Sequence, residues 1–195
     1  MKTRILILTL TASLFSAYNH AQESNEEAQN VHQDPTHNIT LHRVIVLNDK
    51  NEMLMNREDY VWAPPSSIYD KREYVTESME NLAGTFGIKI TKPQLHGYFS
   101  YKYDYHPYST LRTYYVARYV SGTLETPKGR DEAKWVPLEE ALEISTVTAI
   151  KQITQHIVEN PDTVWGGSFM VSREEKGHPT KQVEAFYPLF QSKTR

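Results

Sequence analysis

Apolar and polar positions change period several times along the chain. Residues 41–47 are apolar and β-branched, which suits a buried strand. The cluster Asn48-Asp49-Lys50-Asn51 reads as a turn, and residues 53–56 return as a second short strand, completing a hairpin. The prolines of Trp62-Ala63-Pro64-Pro65-Ser66-Ser67 predict a loop. Residues 74–82 read as a helix, with Gly84 and Gly87 as stop signals. Residues 88–90, 95–105 and 113–122 read as strands. Residues 136–142 open a short helix around Pro137. Val147, Ile150, Ile153 and Ile157 recur at steps of three and four, which predicts a longer helix over 145–159. Two further strands, 168–173 and 182–187, flank Gly177, and no internal repeat is visible.

The beginning of the chain follows another pattern. Lys2 and Arg4 precede a run, residues 5–17, that is apolar apart from Thr and Ser, with Asn19 and the small residue Ala21 behind it. This is the layout of a secretory signal over residues 1–21. The run is short for a bilayer span, which favours a cleaved signal over an anchor or a buried helix. Residues 22–37 are dominated by Gln, Glu, Asn and Asp and predict a flexible spacer. A folded domain is therefore expected over 38–160, with 161–195 as an extension packed on it. The expected location is outside the cytoplasm, periplasmic or extracellular, with no membrane attachment once the signal is removed.

Composition narrows the chemistry. A chain of 195 residues with 39% hydrophobic and 23% charged residues suits one globular domain. The net charge of −3 gives no basic surface for a nucleic-acid backbone. Without cysteine there is no disulfide, thiolate metal site, cysteine nucleophile or lipoprotein anchor. His96, His106, His156 and His178 show no metal-ligand spacing. Ser66 and Ser67 lack a nucleophile-elbow context, and no P-loop or dinucleotide fingerprint is present.

The order and content of these segments resemble the Nudix superfamily. Val44-Ile45-Val46-Leu47-Asn48-Asp49-Lys50-Asn51-Glu52-Met53-Leu54-Met55 is similar to its opening hairpin. Trp62, followed by Pro65 and two small residues, sits where that family has Trp before Leu-Pro-Gly-Gly. Tyr98-Phe99-Ser100 and Tyr114-Tyr115-Val116-Ala117-Arg118-Tyr119 look like its central strands. Asp131-Glu132-Ala133-Lys134-Trp135-Val136-Pro137-Leu138-Glu139-Glu140-Ala141-Leu142 resembles its acid, then Trp-hydrophobe-Pro-Leu-Glu-Glu segment. The match covers residues 38–159. It implies an α/β/α sandwich with a mixed sheet, here with a short C-terminal β extension. It also implies Mg²⁺ or Mn²⁺ held by helical glutamates and hydrolysis of a diphosphate-linked substrate. A homodimer is compatible with it.

The family's box is a Gly, five residues, a Glu, seven residues, then Arg-Glu-hydrophobe-x-Glu-Glu-x-Gly-hydrophobe. Anchored on Gly87-Ile88, its Arg-Glu pair falls on Glu80-Asn81, its hydrophobe on Leu82 and its Glu-Glu pair on Gly84-Thr85. The loop glycines become Ser66 and Ser67. Anchored on Ser67, the first glutamate becomes Glu73, and the two anchors differ by one residue. Glu73, Glu77 and Glu80 are spaced by four and three, so on one helix they share a face. They are candidate catalytic carboxylates, with Glu77 and Glu80 as metal ligands. The bland alternative is a solvated acidic face at a helix start. On the strand over 95–105, alternation puts Phe99, Tyr101, Tyr103 and Tyr105 on one side and Tyr98 on the other. These aromatics serve either core packing or stacking on a planar ligand. Tyr101 and Tyr103, with Arg112 and Arg118 for a phosphate, make up the candidate ligand-binding set.

Two functions remain. One is a Nudix-fold protein with an eroded box that binds a small ligand or a partner. The other is a divergent metal-dependent hydrolase.

Overall fold

The computed structural model describes residues 39–105, 107–173 and 179–191. The predicted signal over 1–21, the spacer over 22–37, Asn38, His106, Gly177 and His178 lie outside the described residues.

Ten strands and three helices are present among the described residues. In chain order they are β1 (Thr40–Leu47), β2 (Glu52–Glu58), β3 (Val61–Ala63), β4 (Ser66–Ile68), α1 (Val75–Thr85), β5 (Ile88–Ile90), β6 (Gln94–Tyr103), β7 (Thr110–Gly122), β8 (Glu132–Pro137), α2 (Leu138–Ile144), α3 (Thr148–Glu159), β9 (Thr163–Val171) and β10 (Thr180–Gln191). The sheet runs β10-β9-β6-β7-β1-β2-β3, with β4 on β1, β5 on β7 and β8 on β2. It is mixed: β1–β7 and β6–β9 pair in parallel and the other pairs are antiparallel.

Both faces of the sheet are covered. Val44, Val46, Leu54 and Ala117 pack against Met79, Ala83 and Phe86 on the α1 side. Ile45, Met53, Phe99, Tyr114 and Phe169 pack against Ala141 of α2 and Ala149, Ile153 and Ile157 of α3 on the other. Burial on two faces explains why β1 reads as a continuous apolar run rather than an alternation. The result is the α/β/α sandwich with a mixed sheet that the sequence implies.

The β1–β2 hairpin is closed by Asn48, whose Oδ1 accepts the backbone N–H groups of Lys50 and Glu52, both at 2.9 Å. Beyond this turn the two strands part. They are in register at Leu47 and Met53. Towards its beginning, β1 pairs instead with β4, from Arg43–Ser66 to Leu41–Ile68. β2 meanwhile pairs with β3 and β8. Ala63-Pro64-Pro65-Ser66 bridges the gap between them, held by a Val44 N–H to Pro65 carbonyl bond of 3.0 Å.

Several expectations shift. The predicted loop over 62–67 holds the ends of two three-residue strands, separated by the prolines. The helix expected over 136–142 begins only at Leu138, because Val136 and Pro137 finish strand β8, which the apolar pattern did not reveal. The next helix starts at Thr148 rather than at residue 145. The two tail strands are longer than expected, and β9 lies directly beside β6, so the tail extends the sheet itself.

Gly122 ends β7 with φ +110°, and a Cβ there would lie 2.2 Å from the Gly87 carbonyl oxygen. Gly122→Ala is expected to destabilise the fold by about 1–3 kcal/mol, read as a lower urea midpoint with unchanged m-value.

Candidate functional site

Helix α1 starts at Val75, with Tyr74 as N-cap in extended conformation. The cap is made by the backbone and by Glu77, whose Oε2 accepts the Tyr74 N–H at 3.0 Å. A carboxylate at this position also faces the positive end of the helix dipole. Glu73 lies ahead of the N-cap, off the helix. Its Oε2 accepts the Asn81 amide at 2.9 Å, and its carbonyl accepts the Tyr69 hydroxyl at 2.6 Å. Glu80 is exposed. The expected single face of Glu73, Glu77 and Glu80 is therefore corrected: the chain is still extended at Glu73, and the helix that follows carries only the other two. Among the described residues no three His, Asp or Glu side chains converge on one point. Glu73 and Glu77 already accept hydrogen bonds from an amide and a backbone N–H, and Asn81, Gly84 and Thr85 further along the helix carry no carboxylate for a hard cation.

A crevice runs around the β3–β4 crossing. On the α1 side it is lined by Ser66, Ser67, Leu82, Thr85, Lys128 and Arg130. Ser66 and Arg130 also line a second cleft, of about 280 Å³, in the gap where β1 and β2 part. The walls of that cleft include Arg43, Asn56, Val61, Ala63, Pro64 and Ile150. Glu58 and Asp59 stand on its rim, and Glu58 is ion-paired with Arg130.

Arg43 dominates this cleft. It is 4% exposed, inside a strand whose next four residues are all apolar and buried. Its Nη1 donates to the Pro64 carbonyl, its guanidinium lies 5.9 Å from the Tyr114 ring centroid, and its Nε has no acceptor. Burial pulls its pKa down from the usual arginine value. The Asn56 side-chain oxygen on the cleft wall is buried and has no donor. On the same side of the sheet, Arg112 stacks 4.1 Å over Tyr101 and donates to the Tyr103 hydroxyl at 3.3 Å. Tyr103 in turn shares a 2.9 Å hydrogen bond with Thr110. Tyr101 stacks on Phe169 at 5.3 Å, and burial pushes its phenol pKa well up. Neither the Tyr101 nor the Tyr114 hydroxyl makes a well-formed hydrogen bond.

Of the candidate ligand-binding set, Tyr101, Tyr103 and Arg112 come together. Arg118 does not: it is exposed six residues further along β7, about 20 Å away at strand rise. Arg43, Asn56 and Tyr114 complete the cluster and were missed. The signal for Arg43 was present as a charge inside an otherwise apolar strand, a placement that is rare unless the charge is paired. Tyr105 lies past the end of β6 and packs edge-on against Tyr103 at 5.4 Å.

No protein-family model and no curated protein sequence matches the chain. Solved structures do. The chain is similar to a MutT mutator protein from Bacillus halodurans, with a TM-score of 0.64 and 17% identity over 77% of this chain and 97% of that one. A Nudix hydrolase from Nitrosomonas europaea aligns with a TM-score of 0.54 and 13% identity over 63% and 90% of the two chains. A UDP-X diphosphatase aligns with a TM-score of 0.51 and 12% identity over 82% and 85%. The chain has the Nudix fold.

Two outcomes follow from this geometry. Glu77→Gln weakens the helix start and is expected to cost about 0.3–1 kcal/mol, measured by chemical denaturation. His42, held by Thr113 beneath Tyr69, has its pKa lowered by burial, against an opposing pull from Glu73. Burial lowers His96 and His156 as well. The unfolded chain therefore takes up these protons first as pH falls. The stabilisation is complete above about pH 6.5 and is lost progressively below it. The thermal midpoint is expected to fall between about pH 7.5 and 5.5, with a shallower slope in His42→Asn.

Proposed function

We propose that this chain is a non-hydrolytic, small-ligand-binding protein on the Nudix fold, with an eroded catalytic box, working in the periplasm or outside the cell. The observation that carries this reading is the use made of the carboxylates around the start of α1. Glu77 closes the helix start and Glu73 anchors Asn81, while Gly84 and Thr85 stand where the family has its glutamate pair. The open crevice with its buried arginine supplies a binding surface independent of that box. Export is supported by Lys2, Arg4 and the apolar run over 5–17.

The names of the structural neighbours favour a second reading, a divergent diphosphate hydrolase using Glu77 and Glu80. A shared fold does not carry a reaction with it. Isothermal titration of Mn²⁺ into the full chain, with the Glu77→Gln, Glu80→Gln double variant as control, separates the two. The expected result is no saturable binding at millimolar metal and no metal-dependent release of phosphate from a nucleoside-diphosphate sugar. Saturable binding that disappears in the double variant, together with turnover, would establish the hydrolase instead.

A further inference from the structure

We infer that the cleft between β1 and β2 receives an oxyanion of its ligand, a carboxylate or a phosphate, on the guanidinium of Arg43. This rests on the ligand-binding reading above and names its chemical class.

A guanidinium carries five N–H donors and no acceptor. At Arg43 one nitrogen donates to the Pro64 carbonyl, and the Nε–H has no acceptor although the residue is 4% exposed. Buried cations are ordinarily matched by an acid. Here the charged neighbour that Arg43 senses is Arg112, which disfavours its charge, and the remaining partners are neutral phenols, Tyr114, within loose hydrogen-bonding reach, and Tyr101. Arg112 likewise looks onto Tyr101, Tyr103 and Tyr114, and its Nε has no acceptor. The ion pairs among the described residues are made by Arg57, Arg130, Lys134 and Lys151 and leave both of these guanidinium groups without an acid. Two positive groups on one side of the sheet, one of them on the wall of a cleft open to solvent, call for a negative group from outside the chain.

The rest of the cleft shapes that ligand. The unpartnered Asn56 oxygen accepts an N–H or O–H, so a donor accompanies the anion. Val61, Ala63, Pro64 and Ile150 provide apolar wall for its body. A volume of about 280 Å³ suits a small metabolite. Asp59 and the paired Glu58 on the rim disfavour a polyphosphate chain and select one compact anionic group.

The test uses the full chain with sodium benzoate, phenyl phosphate and neutral benzamide, followed by thermal shift and isothermal titration. At least one of the two anions is expected to bind saturably and raise the melting temperature, with benzamide at least about tenfold weaker. Benzoate alone would identify a carboxylate ligand, and phenyl phosphate alone a phosphate ligand. Arg43→Met is expected to abolish anion binding. Because a core substitution can perturb folding, Val61→Trp, on the half-exposed rim, blocks the cleft while leaving Arg43 in place and should also remove binding. Failure of both anions to bind, or binding indifferent to Arg43→Met and Val61→Trp, would overturn the inference. Benzamide binding without anion binding, lost in Val61→Trp, would overturn it and leave the ligand-binding reading intact, which the Mn²⁺ titration decides separately.

Discussion

Strand β1 has two edges, and the edge away from β7 is divided between two partners. Along β7 it pairs in parallel from Thr40–Leu111 to Leu47–Arg118. On the other edge β2 occupies the hairpin end and β4 the beginning, so β2 has to peel away. Backbone hydrogen bonding forces this arrangement, since each N–H and C=O of a buried strand needs a partner. Pro64 and Pro65 make the crossing possible: they carry the chain from β3 to β4 while Pro65 offers its carbonyl to Val44. The gap is thus opened by strand pairing, and the side chains along it set its size and shape.

The side chains on either flank of that crevice differ in electrostatic character. On the α1 flank, acids are used locally: Glu77 on a backbone N–H, Glu73 on an amide. On the α3 flank, positive groups are set among tyrosines, where the aromatic faces accept a cation without neutralising it. Charges of both signs meet at the crossing itself, where Arg130 pairs with Glu58.

Much of the architecture was legible in the chain because burial imposes a period. The apolar run of β1 and the three-four recurrence of Val147, Ile150, Ile153 and Ile157 led directly to a buried strand and a packed helix. Strand β8 was not legible. Its residues are mostly half-buried, and Glu132 and Lys134 serve ion pairs rather than alternating cleanly with apolar neighbours. The carboxylate spacing misled for a related reason: a four-three interval implies a shared face only if all three residues are helical, and Glu73 is not. Tyr101 and Tyr103 stood out through the crowding of aromatics on one strand and Arg112 as a residue able to meet a phosphate, and the fold brings these three together. Arg43 was marked locally, as a charge inside an apolar strand, but its neighbourhood with Asn56 depends on the parting of β1 from β2, which has no local signature.

The parallel pairing of β6 with β9 has a consequence for how the molecule is assembled. Phe99 of β6 sits in the core against Phe169 of β9 and Phe186 of β10, yet these partners are separated from it by the whole of β7, β8, α2 and α3. Closure of so distant a pairing is slow and comes only after the intervening loops are ordered. The core around Phe99 is therefore complete only once the last two strands of the chain have docked against β6.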